Sequence, residues 1–314
     1  MSKISIIGDV HFSLRKHKDF PEASSFEKNR FEQLIKHLCL NDSKYIVFAG
    51  DLLDKARPTL EEQEIIIEAF INLYENKKVV YVIAGNHEAI TKTKSTYDFL
   101  YLPNYVEYIT DGLVYFGDIV ARLTSWHHLD KLYDVPREDK SDLLISHIRC
   151  NIGYAKEEFP IDELKNVAGV SILGDIHLPH SPAENVYYTN TPYSIHFSDI
   201  DTEFGYIVYD TNTGNINRVK LDLPQKYLLE SCPVNLNELD KQHLYKIKVQ
   251  GTYKDLEQYT NTDNIRFIKQ IVTENVEVQD KETADIEHFF DTIIKKELGT
   301  SSDLYDGLKF GKDL

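Results

Sequence analysis

The stretch Lys78-Val-Val-Tyr-Val-Ile-Ala-Gly-Asn-His-Glu88 decides how the rest of the chain is read. Its run of β-branched and aromatic residues without polar alternation is the pattern of a strand buried on both faces. The run stops at Gly85, a residue that lets the backbone turn sharply. Asn86, His87 and Glu88 follow at once, offering an amide oxygen, an imidazole and a carboxylate at the mouth of the strand.

The same arrangement recurs on both sides of this stretch. Lys3–Ile7 runs into Gly8-Asp9-Val-His11, and Tyr45–Ala49 into Gly50-Asp51-Leu-Leu-Asp54. Further on, Asp142–Ile145 precedes Ser146-His147, and Val170–Leu173 precedes Gly174-Asp175-Ile-His177. A lone Gly-Asp is usually a turn, and a lone histidine usually a surface or core residue. Five such clusters in order, each at a strand end, are the signal. In open α/β sheets the functional side chains gather beyond the carboxyl ends of the strands.

Between the first strands lie helical patterns. Ser24-Ser-Phe-Glu27 and Thr59-Leu-Glu-Glu62 both read as capping boxes. Phe31, Leu34, Ile35 and Leu38 then repeat at helical spacing, as do Ile66, Phe70, Ile71 and Tyr74. Glu61, Glu62 and Glu64 read as a solvated helix start near its positive dipole end. After residue 88 strands dominate: a hairpin over Leu113–Leu123 turning at Gly117-Asp118, then Val186–Thr189, Tyr206–Tyr209 and Ile216–Leu221. Leu223-Pro224 reads as a boundary. Past it, Leu244–Val249, Tyr253–Tyr259 and Ile265–Val272 suggest a small βαβ unit. Thr273–Lys281 reads as an acidic linker. Ile286, Phe289, Phe290, Ile293 and Ile294 start a short amphipathic helix.

The expected fold is therefore α/β. A two-sheet sandwich flanked by helices occupies residues 1–222, a small α/β capping domain residues 223–279, and a helical tail residues 280–314. The 314 residues, 42% hydrophobic and 27% charged, suit a globular protein with a sizeable core. Cys39, Cys150 and Cys232 lie far apart and form no CxxC pair, so neither a zinc knuckle nor a disulfide framework follows from them, and a reducing compartment is expected. No signal-peptide pattern or membrane span is evident, so a cytoplasmic location is expected. A net charge of −16 argues mildly against unaided nucleic-acid binding, yet bound cations or a partner can reverse the local field.

Carboxylate, imidazole and amide oxygen together suit an ion such as Mn²⁺, Fe or Zn²⁺. A carboxylate can bridge two of them. Two ions roughly 3.5–4 Å apart clamp the attacking and leaving oxygens of a phosphoryl displacement and lower the pKa of a water.

The series resembles the calcineurin-like metallophosphoesterase family, whose order is D-x-H, G-D-x-x-D, G-N-H-D/E, H and G-H-x-H, over roughly residues 1–220. That resemblance implies two divalent ions, Mn²⁺ foremost and Mg²⁺ second. Asp9, His11, Asp51 and His177 would hold one ion. Asp51, Asn86, His147 and Asp175 would hold the other. His87 would face the scissile phosphate, with Asp54 and Glu88 orienting their neighbours. The family's last motif normally has histidine where this chain has Asp175. An aspartate there could still ligate, with a preference for harder ions.

A second layer is similar to the DNA-repair nuclease branch, the SbcD-like subunits and the recombination endonuclease subunits of tailed phages. It consists of Asn185-Val-Tyr-Tyr-Thr-Asn-Thr-Pro192-Tyr, then Phe197-Ser-Asp, then Glu203-Phe-Gly205-Tyr. This likeness implies exonuclease and endonuclease action on DNA, and the host cytoplasm if the chain is phage-encoded. It also implies an SMC-like (SbcC-like) ATPase partner held by the C-terminal helical segment, and a homodimer formed through helices of the nuclease domain. The alternatives are a phosphomonoesterase or cyclic-nucleotide phosphodiesterase of the same superfamily, and a non-catalytic scaffold. Trp126-His127-His128 reads as a core Trp flanked by histidines. His180 and His196 receive no role.

Overall fold

The computed structural model describes residues 2–150, 156–199, 203–233 and 235–272. The chain begins with a β-α-β-α-β run. Strand β1 (Lys3–Ile7) is followed by helix α1 (Ala23–Leu40), β2 (Tyr45–Ala49), α2 (Leu60–Glu75) and β3 (Val79–Ile83). A small hairpin, β4 (Ala89–Thr91) and β5 (Lys94–Ser95), leads to β6 (Val106–Tyr108). The hairpin β7 (Asp111–Phe116) and β8 (Ile119–Thr124) precedes β9 (Ser141–His147), α3 (Ile161–Val167), β10 (Ala168–Gly174) and β11 (Val186–Tyr188). Strands β12 (Gly205–Asp210) and β13 (Ile216–Lys220) return to the first sheet. The third sheet comprises β14 (Lys226–Leu229), β15 (Leu244–Gly251) and β16 (Ile265–Ile271), with the short α4 (Tyr253–Leu256) between the last two strands.

Two sheets form the sandwich. One has the order β13-β12-β1-β2-β3-β6, the other β11-β10-β9-β8-β7. Strands β1, β2, β3 and β6 run parallel, and so do β8, β9, β10 and β11. Ile4, Ile6, Val47 and Ile83 of the first sheet meet Phe116, Leu123, Leu143, Ile145 and Ile172 of the second in a fully buried layer. The opposite face of the first sheet, through Ile7, Phe48, Val80 and Val82, packs against Phe31, Leu34 and Leu38 of α1 and Ile66, Phe70 and Leu73 of α2. Leu144 and Leu173 on the far face of the second sheet pack against Leu164 and Val167 of α3. Helices thus cover both outer faces, which is why the parallel strands are apolar throughout rather than alternating.

Several local expectations are corrected. Helix α2 does begin with the capping box Thr59–Glu62, but Glu62 is not solvated. It is buried, where it accepts hydrogen bonds from Ser13 Oγ (2.8 Å) and Leu14 N (2.9 Å), so the helix start also pins the loop after β1. The buried face of α2 uses Ile65, Ala69 and Leu73, while Ile71 and Tyr74 are exposed. Helix α1 starts at Ala23 with no side-chain cap. Ser24 Oγ instead donates to Leu14 O (2.8 Å), and Glu27 turns inward to Arg30 and Lys226. Tertiary pairing has overridden the local capping option there. Trp126 is half-buried rather than core, donating from Nε1 to Glu158 Oε1 (2.8 Å), and His127 approaches Tyr108 OH (3.2 Å). The small unit after Pro224 has one strand more than its sequence pattern suggested, β14. The acidic linker and the Ile286–Ile294 segment lie outside the described residues.

Strand β14 is tied to α1 by a buried charge network. Lys226 Nζ lies 2.8 Å from Glu27 Oε1 and donates to Ile195 O (3.0 Å). Arg30 Nε donates to Glu27 Oε2 (2.9 Å), and its guanidinium lies over the Tyr193 ring at 3.9 Å. Removing the charge of the one acid in this group leaves Arg30 and Lys226 facing each other without a counter-charge, at a cost of about 3–5 kcal/mol. Glu27→Gln keeps the volume and loses the charge. Its urea-unfolding free energy is expected to fall by that amount, and a change under about 1 kcal/mol would show that the network contributes little.

Candidate metal centre

The carboxyl ends of β1, β2, β3, β9 and β10 lie at one edge of the sandwich, and the loops leaving them are stitched to each other. Asp9 N donates to Gly50 O (3.2 Å), His11 N to Asp51 O (2.8 Å) and Phe12 N to Leu52 O (2.8 Å). The first two loops therefore run side by side. Asp9, His11 and Asp51 adopt left-handed backbone at φ 55°, 49° and 50°, and Asp175 lies at φ 93°. Such conformations are uncommon for side-chain-bearing residues and concentrate at functional sites. They swing these side chains inward over the strand ends. Glycine is required beside them: a Cβ on Gly50, itself at φ 85°, would run into the His147 ring.

All seven ligand candidates meet in this space. His11 Nε2 lies 3.1 Å from His177 Nε2 and 3.6 Å from Asp51 Oδ2. His177 Nε2 lies 3.8 Å from Asp9 Oδ1. On the other side, His147 Nε2 lies 2.9 Å from Asn86 Oδ1, 3.4 Å from Asp51 Oδ2 and 3.7 Å from Asp175 Oδ1. Asp51 Oδ2 thus stands between the two histidine groups. Two compact donor sets result, Asp9-His11-His177 and Asp9-Asp51-His147. Asp9, His11, Asp51 and His147 are all buried.

The electrostatics of the set call for added positive charge. Burial pushes the Asp9 carboxyl well above the usual carboxylate range. Burial lowers the imidazoles of His11 and His177, the latter to about 3, so both offer neutral nitrogens. His147 is the exception. Burial opposes its charge, but Asp51, Asp9 and Asp175 around it outweigh burial and raise its pKa well above normal. Its Nδ1 lies 3.1 Å from the Ala49 carbonyl oxygen, which can only accept, so Nδ1 carries a proton. The other nitrogen then faces the oxygens of Asn86 and Asp51, with either a proton or a cation between them. A divalent ion answers this demand, and the mixture of oxygen and nitrogen donors fits one.

A third set, His11-Asp54-His87, has its charge satisfied from within. Lys16 Nζ lies 2.8 Å from Asp54 Oδ1 and donates to His11 O (2.8 Å). His87 is exposed and stands edge-on to His11, ring centroids 4.5 Å apart. Its Nδ1 donates to Asp54 O (2.7 Å), and its backbone N–H donates to Asp51 Oδ1 (2.9 Å). Glu88 is fully buried and points away from the cleft. Its carboxylate accepts from Asp51 N (3.0 Å), Leu53 N (2.7 Å), Gly85 N (2.8 Å) and Tyr97 OH (3.0 Å). It therefore positions the loops and does not touch a reacting group. Burial and the nearby Asp51 push its pKa up to about 7.

A profile described as calcineurin-like phosphoesterase matches residues 2–209. The chain belongs to that family. The mixed α/β architecture with its several sheets is the metallophosphoesterase fold, and the family works with divalent metals. Among curated proteins, this phosphoesterase is similar to the DNA double-strand break repair protein Mre11 of Methanocaldococcus jannaschii. The two are 27% identical over 190 residues, covering 54% of this chain and 50% of that protein. The match thus spans about half the length of that relative. Similar solved structures include a Thermus thermophilus protein at 9% identity, covering 70% of this chain and 98% of that one with TM-score 0.42. They also include a novel archaeal phosphodiesterase at 13% identity, covering 70% and 99% with TM-score 0.39. No helix among the described residues is long and apolar enough to cross a membrane.

Sequence reading missed four residues that shape this centre: Lys16 on Asp54, Tyr97 on Glu88, Arg149 on Asp175, and Glu158, which holds the Arg149 backbone. None belongs to a recurring motif, so no local pattern pointed to them. His196 lies near His177, ring centroids 6.5 Å apart, whereas His180 stacks on Tyr188.

The raised pKa of His147, like that of Asp9, has a measurable consequence. An ion bound there must displace a proton, so Mn²⁺ affinity is expected to rise with pH across the neutral range. Titration calorimetry in buffers of different ionisation enthalpy should show proton release on Mn²⁺ uptake. Uptake without release would mean that neither the His147 imidazole nor the Asp9 carboxyl holds an extra proton in the metal-free protein.

Proposed function

We propose that this phosphoesterase is a metal-dependent DNA nuclease, the catalytic subunit of an ATPase–nuclease complex for recombination and repair. The observation carrying this reading is the placement of Asp51 Oδ2, 3.6 Å from His11 Nε2 and 3.4 Å from His147 Nε2, as a bridging carboxylate would need to be. The partial likeness to an Mre11 protein supports the choice of DNA over other phosphoesters.

In this reading Asp9, His11, Asp51 and His177 hold one divalent ion and Asp51, Asn86, His147 and Asp175 the other, with Mn²⁺ preferred. Two ions held there would neutralise phosphate charge and make a water acidic enough to lose its proton near neutral pH. The remaining work falls to the chain. His87, fixed through Nδ1 by the Asp54 carbonyl, presents Nε2 to the substrate and can place a proton on the leaving oxygen. Asp54, held by Lys16, keeps the carbonyl that aims His87 in place. Glu88 keeps the loops after β2 and β3 at one spacing. A minimal phosphomonoesterase has no need of the residues from 223 onward, which we assign to a capping domain (223–279) and an ATPase-binding segment (280–314). The open groove between α1 and α2, about 430 Å³ and lined by Phe31, Ile35, Cys39 and Ile65, supports dimerisation through these helices.

The test is Mn²⁺-dependent digestion of linear duplex and single-stranded DNA beside turnover of p-nitrophenyl phosphate. DNA cleavage is expected to dominate. His87→Ala should lower it about 10²- to 10⁴-fold while leaving Mn²⁺ uptake intact. Turnover of the monoester alone would sink the nuclease reading. A chain ending at residue 279 should keep nuclease activity and fail to bind the ATPase.

A further inference from the structure

Asp175 occupies the place where the family has histidine, and its carboxylate is held in a fork. Arg149 Nε donates to Asp175 Oδ2 and Arg149 Nη2 to Asp175 Oδ1, both at 2.8 Å. This is the bidentate geometry in which a guanidinium holds a carboxylate most firmly. The Arg149 backbone is also fixed, since its N–H donates to Glu158 Oε2 (3.0 Å), the same carboxylate that takes Trp126 Nε1. The Asp175 side chain is only 4% exposed, but that of Arg149 is 30% exposed. The arginine therefore lies at the rim of the centre, with its inner edge on the carboxylate. Among the described residues, no hydrogen bond engages Nη1. A guanidinium that spends its Nε–Nη2 edge keeps its Nη1–Nη2 edge to offer a second anion.

Charge points the same way. Exchanging a neutral imidazole for Asp175 adds a negative charge to a site that must accept an anionic phosphoester. Arg149 cancels that charge and leaves planar donors beside it.

We propose that Arg149 is a substrate-contacting residue of this phosphoesterase. Its Nη1–Nη2 edge donates to a non-bridging phosphate oxygen of the bound ester, and Asp175 positions it. The proposal rests on the two-ion phosphoesterase reading but not on DNA as the substrate.

The experiment uses the full chain, with Arg149→Ala and Arg149→Lys, in two calorimetric titrations: Mn²⁺ alone, then inorganic phosphate at saturating Mn²⁺. Both variants should keep the wild-type Mn²⁺ stoichiometry. Phosphate binding should weaken about 10- to 100-fold in the Ala variant. In the Lys variant it should weaken less, because the point charge remains but the planar edge is lost. Phosphate affinity within about twofold of wild type in Arg149→Ala would overturn the proposal. So would loss of one Mn²⁺ in both variants, which would reduce Arg149 to a support that holds Asp175 in its ligating position. Circular dichroism identifies a misfolded Ala variant, in which case the Lys contrast decides. If the wild type takes up no Mn²⁺, the two-ion reading fails on its own, and the same comparison of phosphate affinity without metal then decides the role of Arg149.

Discussion

The Glu88 carboxylate is the constraint on which the centre depends. One buried side chain accepts backbone N–H groups from Asp51, Leu53 and Gly85, joining the ends of β2 and β3, and Tyr97 completes its coordination. Hydrogen bonds from backbone N–H groups to a buried carboxyl group are directional and costly to leave unmade. They set the spacing of the two loops that carry Asp51, Asn86 and His87. The backbone N–H of Asp51, whose carboxylate lies between the two histidine groups, is one of the groups they anchor. The His87 backbone donates to that carboxylate, and its ring is aimed by the Asp54 carbonyl. The left-handed residues at the strand ends can persist because such bonds over-determine them.

Sequence made the skeleton legible and the cross-bracing invisible. Strands β1, β2 and β3 matched expectation closely because a buried parallel strand is a continuous apolar run closed by glycine, a one-dimensional signal. The strand-end Asp, His and Asn residues were legible for the same reason, since each follows its strand directly. Arg149 and Asp175 are separated by 26 residues, Glu27 and Lys226 by most of the chain, and neither pairing leaves a periodic trace. Glu62 shows how one residue can satisfy a local pattern and a distant one together. Its capping box was readable, whereas its bonds to Ser13 and Leu14 were not. Ser24 failed as a cap for the complementary reason, because a carbonyl ten residues upstream claimed its hydroxyl.

The acidic total of −16 reads differently once the centre is described. Several of the acidic groups around the cleft are already balanced: Asp54 by Lys16, Asp175 by Arg149, and Glu27 by Arg30 and Lys226. Asp9 and Asp51 stand apart, facing imidazoles and one another. Net charge is a statement about solubility and long-range steering. The field inside a cleft is decided by which few carboxylates lack a basic neighbour, and here those are the groups at the meeting point of the strand ends.

The Asp175–Arg149 fork also couples two sequence positions, since each side chain supplies the other's counter-charge. A histidine restored at 175 would leave the guanidinium without its acid, and an uncharged residue at 149 would leave the aspartate without its base. Either step taken alone passes through an unbalanced intermediate beside the centre. Among related chains, the acidic form of the last motif should therefore travel with a basic residue two places after the preceding histidine.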